Sequence, residues 1–265
     1  MKTVMVLIHN DPGQEARLQC ALDVVRALEG HLVCLDVVGL PVIADGFGIG
    51  TATAALIVDE RDREDENINR LEPRLANEGV SYEWARIQTN SDTAVTEAAR
   101  LIDLLVVGRR GIGEAADSGE TAARLAELST APVLLVPADQ KSLDLSGKAL
   151  VTWDGSTPSD NAIRAAVPLL RLAREVEVLT VGDTENDADP VEAADYLARH
   201  GCKVTARRVA RSGDLAEQLL AETIASRAGW CVMGSYGHSR LREFLFGGPT
   251  RALFAKATIP LLVSH

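Results

Sequence analysis

The sequence predicts an α/β protein built from two doubly wound units, each with a five-stranded parallel sheet and flanking helices. Three observations support this fold class. Short apolar, β-branched segments alternate with longer segments of helical periodicity. The strand segments are almost continuously apolar, which is typical of parallel sheets covered on both faces. The whole pattern occurs twice in 265 residues, a length that suits two domains of ordinary size.

The first unit begins with a predicted buried strand over residues 4–8, a turn over 9–13 and a helix over 16–28. A second strand is predicted over residues 31–38. The later landmarks of this unit are Gly79 before the third strand, Ser91 at the start of the third helix, the fourth strand over 104–108 and the fifth over 133–136.

The second unit repeats this order. A strand over residues 149–153 leads into the turn Asp154-Gly155-Ser156, and helical periodicity follows over 162–173. The later landmarks are the second strand over 175–181, Gly201 before the third strand, Asp214 at the start of the third helix, the fourth strand over 230–234 and the fifth over 261–263. The repeat predicts domains over residues 1–138 and 148–265 with a polar linker at 139–147.

The first unit carries about 20 additional residues around positions 39–59. Glycines at 46, 48 and 50 make residues 41–53 either a plain solvent loop or a mobile lid over a site. Both interpretations stay open from the sequence. An apolar fifth strand left at a sheet edge invites pairing, so the two units are expected to pack through their fifth strands.

The composition narrows the range of partners. The formal net charge is −11, and residues 1–138 carry −10 of it. This charge works against nucleic acid and anionic membrane surfaces, and no apolar run approaches the roughly 20 residues of a membrane span. The four cysteines show no C-x-x-C spacing and no signal peptide precedes the first strand, so a cytoplasmic location is expected.

Glycines recur after the predicted fourth strand of the second unit, at Gly234, Gly237 and Gly247. Ligands of open α/β sheets bind beyond the carboxyl ends of the strands, where glycines let the backbone approach a phosphate. Pro249 suits the first turn of a helix over residues 252–257. Gly247 and Gly248 would then lie at a helix N-terminus, where free N–H groups favour an anion.

The spacing Gly-x2-Gly-x9-Gly, followed by Thr250 and a closing apolar strand, resembles the adenine-nucleotide loop of the universal stress protein family. The resemblance covers nearly the whole chain as two tandem units. It implies an adenine nucleotide α-hydrolase-like fold, units packed as a pseudo-twofold pair, and ATP or AMP with its associated Mg²⁺, at most one nucleotide per chain. It also implies the cofactor-binding residues Thr152, Asp154, Val181, Gly234, Tyr236, Gly237, Gly247, Gly248 and Thr250.

Two departures from the family pattern bear on affinity. Gly248 stands where ATP-binding members have Ser or Thr, and Pro249 offers no N–H, so two phosphate donors are missing. Their loss predicts binding weaker by about tenfold to several hundredfold. The first unit departs further, because Asn10 replaces the aspartate and acidic residues follow Gly108, and nucleotide is expected in the second unit.

Other sites receive no support from the motifs. Neither first strand is followed by G-x-G-x-x-G, and no P-loop is present. No metal site is predicted, since the histidines at 9, 31, 200, 238 and 265 lack ligand spacing. No catalytic residue is assigned. The sequence thus predicts a nucleotide-sensing stress regulator that acts on an unidentified protein partner and can form a homodimer. Two alternatives stay open. One is a slow ATP hydrolase or adenylyl-handling enzyme, and the other is an interaction scaffold without a ligand.

Overall fold

A single ten-stranded sheet runs through both halves of the chain in the computed structural model, which describes residues 1–38, 51–89, 91–109, 120–182, 188–235 and 249–265. The first half contains β1 Thr3–Ile8, α1 Gln14–Leu28, β2 His31–Val38, α2 Thr51–Asn77, β3 Ser81–Gln88, α3 Asp92–Ala98, β4 Leu104–Gly108, α4 Glu120–Leu128 and β5 Val133–Val136. The second contains β6 Lys148–Thr152, α5 Thr157–Leu170, β7 Glu175–Val181, α6 Pro190–Arg199, β8 Val204–Val209, α7 Leu215–Ser226, β9 Trp230–Gly234, α8 Pro249–Lys256 and β10 Leu261–Ser264.

The strand order is β3-β2-β1-β4-β5-β10-β9-β6-β7-β8. All pairs within a half are parallel, whereas β5 and β10 pair antiparallel with Leu134 opposite Leu262. An antiparallel pair is related by a local twofold axis, so the halves meet as a pseudo-twofold pair. The predicted packing through the fifth strands is therefore confirmed, and it joins two five-stranded sheets into one.

Alternation along the strands buries both faces of the sheet. In β1, Val4 and Val6 belong to a core with α1, α2, α5 and α6. Met5 and Leu7 belong to the opposite core, with α3, α4, α7 and α8. Because helices occupy both faces, the strand ends are where the sheet can meet a ligand.

Helices in both halves start earlier than the hydrophobic periodicity predicts, and α1 begins at Gln14 rather than at residue 16. Helix α5 begins at Thr157 rather than at residue 162, because the Ser156 hydroxyl caps it by accepting the Ser159 N–H at 3.3 Å, and it ends at Leu170. Residues 51–59 of the additional segment form the start of α2. The remainder of that segment, including most of the proposed lid, lies outside the described residues.

The segment predicted as a polar linker packs against the first half. Leu143 and Leu145 are buried, and the Leu143 N–H donates to the Asp23 carboxylate on α1 at 2.8 Å. The exact domain boundaries stay a prediction. Among the helices that the structure describes, none has the length and apolar character needed to cross a membrane.

Candidate functional site

The crevice of the second half lies where β6 and β9 run side by side. From β6 the chain continues to β7 and β8 on one side, and then returns to β9 and β10 on the other. In an open α/β sheet this switch of direction opens a crevice at the carboxyl ends of the two central strands. The site is therefore expected at the ends of β6 and β9.

Four of the nine predicted site residues lie along this edge of the sheet. Thr152 ends β6, Val181 ends β7, Gly234 ends β9, and Asp154 follows β6 by two residues. In the strand register, Thr152 pairs with a residue of β7 on one side and of β9 on the other. The fold thus brings together residues that the sequence separates by up to 82 positions, from Thr152 to Gly234.

Asp154 presents an exposed carboxylate beside the crevice. Its Oδ1 accepts the Ser156 N–H at 3.1 Å and the Ser156 hydroxyl at 2.6 Å, which fixes the side chain against the cap of α5. Gly155 makes the turn with a φ of +76°, in the region that favours glycine. The other carboxylate oxygen of Asp154 accepts no hydrogen bond from any described residue. Asp154 can accept hydrogen bonds from a ligand.

The ends of β6 and β7 are tied together beside Asp154. The Thr180 hydroxyl donates to the Trp153 carbonyl at 2.7 Å, and the Trp153 N–H donates to the Leu179 carbonyl at 2.9 Å. The Thr152 hydroxyl donates to the Val232 carbonyl at the long distance of 3.5 Å and also contacts the buried Cys231 thiol. These bonds join the ends of β6 and β7 at the floor of the crevice, where the Thr152 side chain is half-buried.

Gly234 is required for packing. A Cβ placed on it would lie 2.4 Å from the Ser159 nitrogen and 2.7 Å from the Pro158 carbonyl carbon, both backbone atoms at the start of α5. The absence of a side chain lets β9 approach the first turn of α5. Its contact with a nucleotide stays a prediction.

The other predicted site residues cannot be placed side chain by side chain. Tyr236, Gly237, Gly247 and Gly248 lie outside the described residues, and of Thr250 only its position in α8 is described. Helix α8 does begin at Pro249, as the sequence predicts. The first N–H groups of a helix have no partner within the helix, and those of α8 follow directly after the motif glycines.

In the first half, Arg17 of α1 lies between the ends of β1 and β4, the position that corresponds to the crevice. The side chain is buried, and its guanidinium donates to the Leu7 carbonyl at 3.1 Å and pairs with Asp11 at 2.6 Å. A Cβ on Gly108 would lie 2.7 Å from Arg17 Nη1, so the glycine leaves room for the arginine. Burial alone would raise the pKa of Asp11, but the Arg17 charge more than offsets it and the pKa lies below its usual value.

Arg109, next to Gly108, connects the first half to the second. Its guanidinium donates to the carbonyls of Ala255 and Ala257 at 2.7 and 2.9 Å. These carbonyls lie at the C-terminal end of α8, where a positive charge is favourable. The sequence suggested only a degenerate loop at this position, and nothing in the spacing signals a contact with a residue 146 positions away.

These features define a tandem α/β protein with a crevice at the carboxyl ends of its parallel strands. The sequence model of the Universal stress protein family matches residues 1–137 and again residues 146–265, and the chain belongs to that family. Universal stress protein Slr1230 of Synechocystis sp. is 24% identical over 168 residues, which cover 60% of this chain. The match spans only 57% of that relative's length.

Solved structures share the fold over nearly the full chain. A universal stress protein from Archaeoglobus fulgidus superposes with a TM-score of 0.75 at 17% identity, covering 99% of this chain and 95% of the other. A protein of unknown function from Pseudomonas aeruginosa PAO1 superposes with a TM-score of 0.61 at 16% identity, covering 99% and 92%. At these identities the likeness concerns the fold alone, and it agrees with the predicted fold class.

Proposed function

We propose that this protein is an adenine-nucleotide-binding regulator of the universal stress type, with one ATP or AMP in the crevice of its second half. The observation that carries the proposal is the exposed Asp154 carboxylate at the ends of β6 and β9, with α8 starting directly after the motif glycines. Asp154 would accept hydrogen bonds from the nucleoside. The first N–H groups of α8 would receive the phosphates, with Mg²⁺ carried by the nucleotide.

The two halves differ in a way that favours a single site. In the first half, Arg17 lies at the position that corresponds to the crevice and Asn10 replaces the carboxylate. The first half also carries nearly all of the net negative charge, which opposes a polyphosphate.

A route from the ligand to the rest of the molecule supports a regulatory role. The N-terminus of α8 would bind the phosphates, and its C-terminus is held by Arg109 of the first half. A displacement of this eight-residue helix on binding would therefore change a contact between the halves. An unidentified protein partner would respond to that change.

Replacing Asp154 with alanine is expected to weaken ATP binding by about 1–3 kcal/mol, because a hydrogen bond to a charged group is lost. Isothermal titration calorimetry on the full chain measures this change directly. Asp195→Ala is the matched control, since Asp195 is an exposed aspartate on α6 whose contact is an ion pair with Arg199 at 3.9 Å. Equal affinities for the wild type and the Asp154 variant would contradict the assignment of the nucleoside site.

The same preparation separates the alternatives. A regulator retains ATP unchanged during the titration, whereas an ATP hydrolase or an adenylyl-handling enzyme releases phosphate or pyrophosphate in a coupled assay. Turnover that Asp154→Ala abolishes would replace the regulator by an enzyme using the same crevice. If the protein bound no ATP at all, the remaining alternative would be an interaction scaffold without a ligand.

A further inference from the structure

A second group of polar side chains lies in the first half, where α2 passes over the end of β1. It consists of His9, Glu60 and Glu64, whose nearest ring-nitrogen and carboxylate-oxygen atoms all lie within 4.8 Å of one another. His9 Nδ1 is 3.0 Å from Glu64 Oε1. We propose that these three residues bind a divalent transition-metal ion of the Zn²⁺ class, at a site separate from the nucleotide crevice of the other half.

The donor set suits such an ion. One imidazole nitrogen and two carboxylate oxygens are ligands that Zn²⁺ takes at about 2.0–2.2 Å, and three protein ligands leave a position for water. Ligand atoms around one ion then stand about 3 Å apart without bonding to each other. In this structure His9 Nδ1 and Glu64 Oε1 form a buried contact of 3.0 Å with the geometry of an ion pair rather than of an aligned hydrogen bond, and the same separation suits two ligand atoms around one ion.

The neighbours of Glu64 hold it in a fixed orientation. The side chain is 2% exposed; its Oε2 accepts from the Asn67 amide at 3.2 Å, and its Oε1 accepts from the Asn10 N–H at 3.4 Å. Asn67 is itself locked to Gln14 by two reciprocal amide hydrogen bonds of 2.8 Å. Partners of this kind orient metal ligands and are a regular part of metal sites.

The environment of Asp36, on the neighbouring strand, is consistent with a cation bound by Glu64. Asp36 lies on β2 opposite Ile8, its side chain is 1% exposed, and its Oδ1 has no hydrogen-bond partner while Oδ2 meets Arg86. Burial is the main cause that raises the pKa of Asp36, and the negative charge of Glu64 adds to it. A buried carboxylate oxygen without a donor is costly, and a cation bound by Glu64 would offset the negative charge that acts on Asp36.

The site is accessible, and its ligands are not neighbours in the sequence. The side chains of His9 and Glu60 are 20% and 27% exposed, which gives an ion a path from solvent. The two glutamates occupy one face of α2 four residues apart. The histidine comes from the end of β1, more than 50 positions earlier. This separation is why histidine spacing predicted no metal site.

The test is a Zn²⁺ titration of the full chain by calorimetry, after treatment with a chelator. The wild type is expected to bind one ion per chain at this site, and Glu60→Gln is expected to weaken that binding by at least about tenfold. Glu66→Gln is the matched control, an exposed glutamate on the same helix. His200→Asn controls for exposed histidines, and both controls should keep wild-type affinity. All four cysteines are buried, so they do not compete for the ion.

Thermal unfolding in the same samples guards against misfolded variants. Glu60→Gln should unfold near the wild-type temperature without metal, because Glu60 is partly exposed, and should lose the rise in Tm that Zn²⁺ gives the wild type. His9→Gln serves as the second variant, with the same expected loss of binding. Three results would overturn the proposal: no stoichiometric Zn²⁺ binding, wild-type affinity in Glu60→Gln, or an equal loss in Glu66→Gln.

Discussion

Arg17→Met should lower the free energy of unfolding by about 3–5 kcal/mol, the usual cost of removing one partner of a buried ion pair. The substitution leaves the nearly buried Asp11 carboxylate without its guanidinium and removes the Arg17 donor from the Leu7 and His9 carbonyls, of which the His9 carbonyl keeps the Asp11 N–H at 2.8 Å. Methionine has a similar length and apolar stem, so lost packing contributes little. Urea unfolding at pH 7 measures the change.

The pH dependence of that loss identifies its cause. In the wild type the pKa of Asp11 lies below its usual 3.8, so its stabilising contribution is present above that pH and is lost as pH falls through the lower, folded value. In Arg17→Met, burial acts without the opposing charge and raises the Asp11 pKa. The difference in unfolding free energy between the wild type and Arg17→Met should therefore shrink on acidification.

Arg26→Met, which removes a partly exposed ion pair from the same helix, should cost under about 1 kcal/mol at either pH. A similar small loss for Arg17→Met would contradict the account.

Gly234→Ala should destabilise the second half by about 1–3 kcal/mol or more, because overpacking forces the backbone to move. The new Cβ would lie 2.4 Å from the Ser159 nitrogen, and neither β9 nor the first turn of α5 has a flexible side chain there that could give way. The crevice is built on this contact, so ATP binding should weaken with it. Thermal unfolding and ATP titration of one preparation measure both effects.

Gly229→Ala provides the control for that substitution. Gly229 directly precedes β9, and its added Cβ would meet only ordinary contacts, at 3.7 Å from the Asp144 carbonyl oxygen and 3.9 Å from that of Lys148. Its stability should stay within about 0.5 kcal/mol of the wild type. If the two alanine variants were equally stable, the close approach of β9 to α5 would not be what requires glycine at position 234.

The strands were predictable because their signal is local. The run Leu104–Gly108 has no polar side chain, Glu175–Val181 alternates glutamate with valine over its first four residues, and the structure gives both runs the predicted bounds. The pairing of the fifth strands was also predictable, since two apolar edge strands need partners. Helix starts were harder to predict, because a capping residue such as Ser156 sets the first residue of the helix, whatever the hydrophobic periodicity indicates.

The features that distinguish this chain from a symmetric tandem protein depend on contacts between distant residues. The burial of Arg17 could not be predicted from its place in a helix, because it depends on Gly108, whose lack of a side chain leaves room for the guanidinium. Arg109 reaches α8 in the other half, and His9 meets Glu64 only after α2 folds over β1. Of the predicted site residues, those at strand ends could be placed from topology alone. The positions of Gly247 and Gly248 relative to a ligand stay predictions.

We propose that one adenine nucleotide binds per chain, in the second half. The decisive measurement is a calorimetric titration of the full chain with ATP, comparing the wild type with Asp154→Ala and with Asn10→Ala, the substitution at the corresponding position of the first half. We expect a stoichiometry of one, with an affinity that Asp154→Ala weakens and Asn10→Ala leaves unchanged. Two sites of similar affinity, no binding, or equal sensitivity to both substitutions would contradict the proposal.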